Sequence, residues 1–451
     1  MQAKLEQILK LVDEYITEKR TTEKWTEGDW VKYSGPYYDA NEYKAAIETL
    51  LGEWLIFGEK AREFEEQFPQ YLGMKHGIFT NSGSSANLIM TSVLRSQKKL
   101  PKKYRVPVGS KFITPVVCFP TTINPLLQNG FEPVFVDVEI PSLNLDLDQV
   151  ERLLEEDVHK EIRGIVFAHV LGNPPDMDRL MGLVDEYDLI FLEDACDALG
   201  SFYDGKRLGS FGHLSTCSFF PAHHMTTGEG GFVATNRSSF QLALASYRDW
   251  GRACYCNSLK PGDVTDGTAC GDRFKNWLPG CKDLTYDHRY VFDEVGFNLK
   301  PLELQAALGL EQIKKLPAME QSRRDNYAKL YDIFKPYEKY LHLPEATDKS
   351  DPCWFGFMLV VKDNDLFTKQ EFVNYMEFNK IQTRSYFTGN ALYHPAYQNL
   401  VEPGTDLKAK YPNAHIATKS AFFLGTFIGY DDEKLKYVKS TVDFFFETLE
   451  S

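Results

Sequence analysis

Leu189-Ile190-Phe191-Leu192-Glu193-Asp194-Ala195-Cys196-Asp197-Ala198-Leu199-Gly200 reads as a buried strand that ends in two carboxylates and runs into a turn of small residues. Upstream, the pattern alternates. Lys111 to Val117 and Val134 to Val138 read as strands, Leu147 to Glu155 as a helix, Gly164 to Ala168 as a strand, and Asp176 to Tyr187 as a helix. Strands alternating with helices of this length imply an α/β fold, a mostly parallel sheet covered on both faces. Ligands in such sheets sit beyond the carboxyl ends of the strands. Glu193 and Asp194 therefore stand where a ligand would bind, although Asp194 taken alone reads more readily as a helix N-cap.

Further out, helical segments are expected at Glu42 to Trp54 and Lys60 to Leu72, after an amphipathic N-terminal helix and an arm around Trp30 to Asp39. From about Leu316 the pattern changes to a long helix, a strand near Trp354 to Val361 and a closing helix from Asp432. The expected division is residues 1–40 as helix and arm, 41–315 as the large domain, and 316–451 as a smaller α+β domain.

The chain has 451 residues, 43% hydrophobic and 25% charged, an ordinary globular composition with room for a sizeable core. Its net charge of -14 argues against a general nucleic-acid binder but does not forbid an anionic ligand in a local pocket. No apolar run reaches transmembrane length, and the charged N-terminus lacks the core of a secretory signal, so no membrane association and a cytoplasmic location are expected.

Two more segments carry candidate chemistry. In Asn81-Ser82-Gly83-Ser84-Ser85-Ala86-Asn87, small residues let backbone N–H groups approach an anion at the start of a helix whose pattern resumes at Leu88; a Ser-rich cap is the plain alternative. In Ser218-Phe219-Phe220-Pro221-Ala222-His223-His224-Met225-Thr226-Thr227-Gly228-Glu229-Gly230-Gly231, the adjacent histidines read as a metal site, a base or packed core residues. Eight cysteines are present, read as thiols or metal ligands rather than disulfides.

Taken in order, these segments resemble the DegT/DnrJ/EryC sugar aminotransferase and dehydratase family, vitamin B6-dependent enzymes of fold type I with a mostly parallel central sheet. The resemblance extends to Thr114-Pro115-Val116-Val117-Cys118-Phe119-Pro120, to Val134 to Val138, and to Gly296-Phe297-Asn298-Leu299-Lys300. It implies that Gly83, Ser84, Ser85 and Ser218 grip the cofactor phosphate, that Phe119 stacks on the ring and that Asp194 pairs with the ring nitrogen. It further implies a homodimer, with Lys300 reaching a phosphate across the interface. Arg384 is a candidate for the substrate diphosphate, with a surface salt bridge as the alternative.

The departure from the family is informative. Its aminotransferases carry a lysine three residues before Thr-Thr-Gly-Glu-Gly-Gly, where this chain has His223. An imidazole cannot tether pyridoxal phosphate, so the resemblance implies a noncovalent cofactor in its amine form, pyridoxamine 5'-phosphate. Its amine condenses with a substrate ketone, and His223 removes a proton from its methylene carbon. The expected result is loss of the C3 hydroxyl of a nucleotide-linked 4-keto-6-deoxyhexose. The cysteines follow the pattern Cys196-x57-Cys254-x-Cys256-x13-Cys270, which resembles the iron–sulfur subclass of the family acting on a CDP-linked sugar in dideoxysugar and lipopolysaccharide O-antigen biosynthesis. That subclass implies a 2Fe–2S cluster and electrons from an NAD(P)H-dependent iron–sulfur flavoprotein reductase. The last gap is longer than expected, and Cys281 is the reserve ligand. The rivals are a cluster-free 3-dehydratase and a non-catalytic nucleotide-sugar binder.

Overall fold

The computed structural model describes residues 1–254 and 273–450. Seven strands form the central sheet: β1 (His76–Thr80), β2 (Lys111–Pro115), β3 (Glu132–Val136), β4 (Ile162–Ala168), β5 (Ile190–Asp194), β6 (Leu214–Ser218) and β7 (Gly231–Thr235). Their order is β1-β7-β6-β5-β4-β2-β3. The five strands from β3 to β6 run parallel, and β7 and β1 close that edge with antiparallel pairings. This is the mostly parallel α/β sheet expected from the alternating pattern.

Helices cover both faces, and strand period decides what each side chain meets. On one face Ile190 and Leu192 pack with helix α4 (Gly83–Ser92) and helix α8 (Ser238–Arg248). On the other, Phe191 packs with α3 (Glu59–Leu72), α6 (Leu147–Glu156) and α7 (Met177–Glu186). Helix α4 starts five residues earlier than its apolar pattern suggests, because the Ser82 hydroxyl caps it by accepting the Ser85 N–H at 3.1 Å. Strand β3 lies two residues upstream of its expected span.

A second, antiparallel sheet comprises β8 (Leu341–His342), β9 (Gly356–Val361), β10 (Arg384–Ser385) and β11 (Ala421–Gly425), in the order β8-β9-β11-β10. Helix α10 (Leu316–Phe334), helix α11 (Lys369–Phe378) and helix α12 (Asp432–Glu450) close its core around Phe334, Phe357, Phe372 and Val442. The N-terminal helix α1 (Gln2–Thr22) lies against α2 (Ala40–Leu51), with Lys44 paired to Asp13 at 3.0 Å. The arm after it is woven in. Val31 is fully buried in the second core, donates its N–H to Lys380 O at 2.8 Å and accepts from Gln382 at 2.9 Å. A further apolar cluster joins Val117, Cys118 and Ala222 to Phe355, Tyr386 and Phe423, so the two sheets share one packed seam. Between α8 and α10 lies α9 (Glu303–Ile313), and α5 (Pro120–Gln128) follows β2. Among the described residues no helix is long and apolar enough to cross a membrane.

Candidate active site

The carboxylates at the end of β5 part company because neighbouring residues on a strand face opposite ways. Glu193 turns to the α3 side. There it accepts the backbone N–H groups of Gly209 (2.6 Å), Phe211 (2.8 Å) and Gly212 (2.7 Å) and lies 3.0 Å from His169 Nε2. It organises a buried loop. Asp194 turns to the α4 side, where its Oδ2 accepts from Asn87 Nδ2 at 2.8 Å and Thr122 Oγ1 at 3.1 Å. Its Oδ1 accepts the Cys196 N–H at 3.2 Å. Asn87 is itself oriented by Thr216 Oγ1 at 2.6 Å. Asp194 is thus a preoriented acceptor on the wall of a cavity of about 780 Å³.

At one end of that cavity Gly83 and Ser84, at the N-terminus of α4, meet Ser218 at the end of β6. A Cβ built on Gly83 would come within 2.5 Å of the Ser218 Cβ, so the cradle closes only with glycine there. Backbone N–H groups at a helix start and two hydroxyls are the donor set a phosphate requires. Ser85 points elsewhere: its hydroxyl pairs with Ser82 Oγ at 3.0 Å, and it does not line the cavity. Gly83→Ala is expected to overpack the cradle by about 1–3 kcal/mol. Its apparent Kd for pyridoxamine phosphate, read from absorbance retained on the desalted protein, should rise roughly 10- to 100-fold.

Phe119, 49% exposed, offers its ring to the cavity and meets Phe387 edge-on at 5.9 Å. On the wall beside Asp194, His223 Nδ1 lies 3.2 Å from Asp197 Oδ1, an ion-pair distance rather than an aligned hydrogen bond. Burial pushes the Asp197 carboxyl above its ordinary range, while His223 pulls it back. The His223 ring packs against Phe355 at 5.3 Å. His224 is core: it is buried, its Nε2 meets Cys353 O at 2.6 Å, and burial drives its pKa well down. Among the described residues no lysine lines the cavity.

At the mouth, the Arg384 guanidinium lies over the Tyr33 ring at 4.2 Å and donates to Thr383 O at 2.7 Å. Lys300 sits apart. Its Nζ donates to Asp249 Oδ1 at 2.8 Å and rests on the Trp250 ring at 3.4 Å, outside this chain's own cavity wall. Cys196 does line the cavity, and burial with the Asp194 charge holds its thiol well above the usual range. Cys254 is half-buried and Cys281 exposed; Cys256 and Cys270 lie outside the described residues. Among the described residues no group of three or more His, Cys, Asp or Glu is disposed to hold a metal ion.

Several participants carry no sequence signal strong enough to assign them. Asn87 had one, lying a helical turn after Gly83 once α4 is seen to begin there. Thr122, Tyr33 and Phe355 reach the site only through tertiary packing.

The sequence profile of the DegT/DnrJ/EryC1/StrS aminotransferase family matches residues 36–443. The chain belongs to that family. It is 38% identical over 442 residues to the lipopolysaccharide biosynthesis protein RfbH of Salmonella typhimurium, covering 98% of each. It is 39% identical over 437 residues to a dTDP-4-dehydro-2,6-dideoxy-D-glucose 3-dehydratase of Saccharopolyspora spinosa, covering 97% of this chain and 91% of that one. Its fold matches that of Escherichia coli GDP-4-keto-6-deoxy-D-mannose-3-dehydratase with bound hydrated PLP, with a TM-score of 0.76 at 28% identity, over 92% of this chain and 99% of the other. This DegT/DnrJ/EryC1/StrS member is therefore an enzyme of the pyridoxal-phosphate-dependent sugar dehydratase and aminotransferase group. Its likeness to 3-dehydratases accords with a cavity wall where His223 stands and lysine does not.

Proposed function

We propose that the enzyme removes the C3 hydroxyl of a nucleotide-linked 4-keto-6-deoxyhexose with pyridoxamine 5'-phosphate as cofactor. The observation that carries this reading is His223, paired with Asp197 on a cavity wall that also presents Asp194, Phe119, Ser84 and Ser218. The residues suit the cofactor: the Gly83–Ser218 cradle, which a Cβ on Gly83 would fill, has the donors for its phosphate, and Asp194 is a hydrogen-bonded carboxylate at the cavity wall. When bound, the cofactor supplies a primary amine for the sugar ketone and a ring that accepts an electron pair.

The chain's residues do the rest. Asp194 holds a proton at the ring nitrogen, and Phe119 covers a ring face. His223 accepts the proton released beside the ring and carries it toward the departing C3 hydroxyl, while Asp197 stabilises the charged imidazole. Arg384, backed by Tyr33, binds the diphosphate at the mouth.

The cysteines support a finer reading, in which Cys196, Cys254, Cys256 and Cys270 hold a 2Fe–2S cluster and a flavoprotein reductase supplies two electrons after water has left. What favours it is Cys196, whose place on the cavity wall two residues beyond Asp194 puts any metal it binds beside the site. The substrate is then CDP-linked, as in the subclass the sequence resembles, and the product feeds lipopolysaccharide, the process named for the RfbH relative.

Anaerobic incubation with pyridoxamine phosphate, a reductant and CDP-, dTDP- or GDP-linked 4-keto-6-deoxyhexoses tests both layers. Mass analysis should show loss of the C3 oxygen from one of them; no change with any would overturn the proposal. About two iron and two acid-labile sulfide per chain are expected for the cluster. Turnover by protein purified under strict anaerobiosis without iron would leave the dehydratase and remove the cluster.

A further inference from the structure

We infer that helix α10 is the positioning device for the base: the consecutive arginines Arg323 and Arg324 fix the two loops whose meeting sets His223 against Asp197. The inference rests on the base role proposed above. His223 belongs to the loop after β6 and Asp197 to the loop after β5, so no strand ladder sets the gap between them.

Arg323 is 3% exposed. Its Nη1 donates to Trp354 O at 3.2 Å, Phe355 O at 3.1 Å and Thr426 Oγ1 at 3.3 Å, and its Nη2 to His223 O at 3.4 Å. One guanidinium thus holds the peptide of the base and the peptide of Phe355, whose ring packs on that base. Next to it, Arg324 Nη2 donates to Gly200 O at 2.8 Å, at the end of the turn that contains Asp197, while its Nε is held by Asp351 Oδ1 at 2.8 Å. The helix approaches that turn closely. Gly200 has φ +85°, and a Cβ on it would lie 2.7 Å from Glu320 of α10.

Burying a guanidinium is costly, and replacing buried charges by well-packed apolar side chains of similar volume is often neutral or stabilising. Burial lowers the Arg323 pKa to about 10, still ionised at neutral pH. A charge retained there, with four backbone and hydroxyl acceptors on three chain segments, specifies geometry rather than adding stability. Displacing a reacting group by about 1 Å costs on the order of 100-fold in rate. That is the effect expected of losing the clamp.

The test uses the whole chain with its cofactor and whichever sugar the anaerobic incubation identifies as substrate. Arg323→Gln should lower kcat roughly 100-fold, leave KM nearly unchanged and retain pyridoxamine phosphate after desalting. Arg323→Lys should recover part of kcat, and added guanidinium should partly rescue Arg323→Ala. A second readout needs no cofactor: the His223 imidazole proton resonance, assigned by its disappearance in His223→Asn, should move in Arg323→Gln and in Arg324→Gln. Unchanged kcat with an unmoved resonance overturns the inference. So does joint loss of kcat, cofactor retention and thermal stability without rescue, which would mean a purely structural role. A wild-type protein inactive on every sugar would sink the proposed reaction, while the resonance would still decide whether α10 positions His223.

Discussion

His223→Asn is expected to keep its cofactor and lose its chemistry. Asparagine preserves the polarity of the site and approximates the near half of an imidazole, so the Ser218 strand end and the Asp194 wall are left as they are. What disappears is, among the described residues, the only histidine on the cavity wall that contacts a carboxylate, since His394 at the mouth is turned to Thr388 O at 2.9 Å. General acid–base catalysis by one positioned side chain contributes about 10²- to 10⁴-fold, and here one group both takes and delivers the proton, so the fall in kcat should approach the upper figure. Pyridoxamine phosphate absorbance on the desalted variant should match wild type. The complementary change, His223→Lys, should gain a borohydride-stable mass increment when given pyridoxal phosphate, because it restores a primary amine to the wall. Wild type should gain none. A covalent adduct on wild type, or an asparagine variant with normal turnover, would remove His223 from the centre of the mechanism.

The fold is written in residues that act locally. Apolar runs such as Leu189 to Leu192 between amphipathic helices announce a parallel sheet, and Ser82 and Asp176 each cap the helix that follows them. The start of α4 was hidden because Gly83, Ser84 and Ser85 are poor helix formers whose place is paid for by tertiary packing and a cap. The site was legible as a set of types and not as a set of contacts. Ser84, Phe119, Asp194, Ser218, His223 and Arg384 do meet at one cavity, whereas Ser85 and Lys300 face other partners within the chain. The partners that orient these groups lie far off in sequence: Asn87 is 107 residues from Asp194 and Arg323 is 100 from His223. No periodicity encodes such distances. Even Glu193 and Asp194, read together as a pair, are separated only once the strand has a defined face on each side.

That separation yields a sharp contrast between neighbouring substitutions. Asp194→Asn removes the charge assigned to the ring nitrogen and, with the same shape, leaves a single acceptor oxygen where three donors now converge. Its NH2 must face either the Cys196 N–H, now on Oδ1, or the Asn87 and Thr122 donors, now on Oδ2. Truncating one partner of a buried, hydrogen-bonded charge pair costs about 2–5 kcal/mol, so pyridoxamine phosphate should bind roughly 30- to 5,000-fold more weakly. The cofactor that does bind should turn over poorly, because a neutral ring nitrogen accepts electrons less readily. Glu193→Gln should do the reverse. It leaves the cavity wall untouched but weakens three backbone N–H bonds that hold the Gly209 to Gly212 turn, so thermal stability falls while cofactor affinity and kcat stay near wild type. Circular dichroism on both variants separates unfolding from loss of the site. If Asp194→Asn bound the cofactor and turned over like wild type, or if Glu193→Gln rather than Asp194→Asn released it, the face of β5 on which the chemistry takes place would have been assigned the wrong way round.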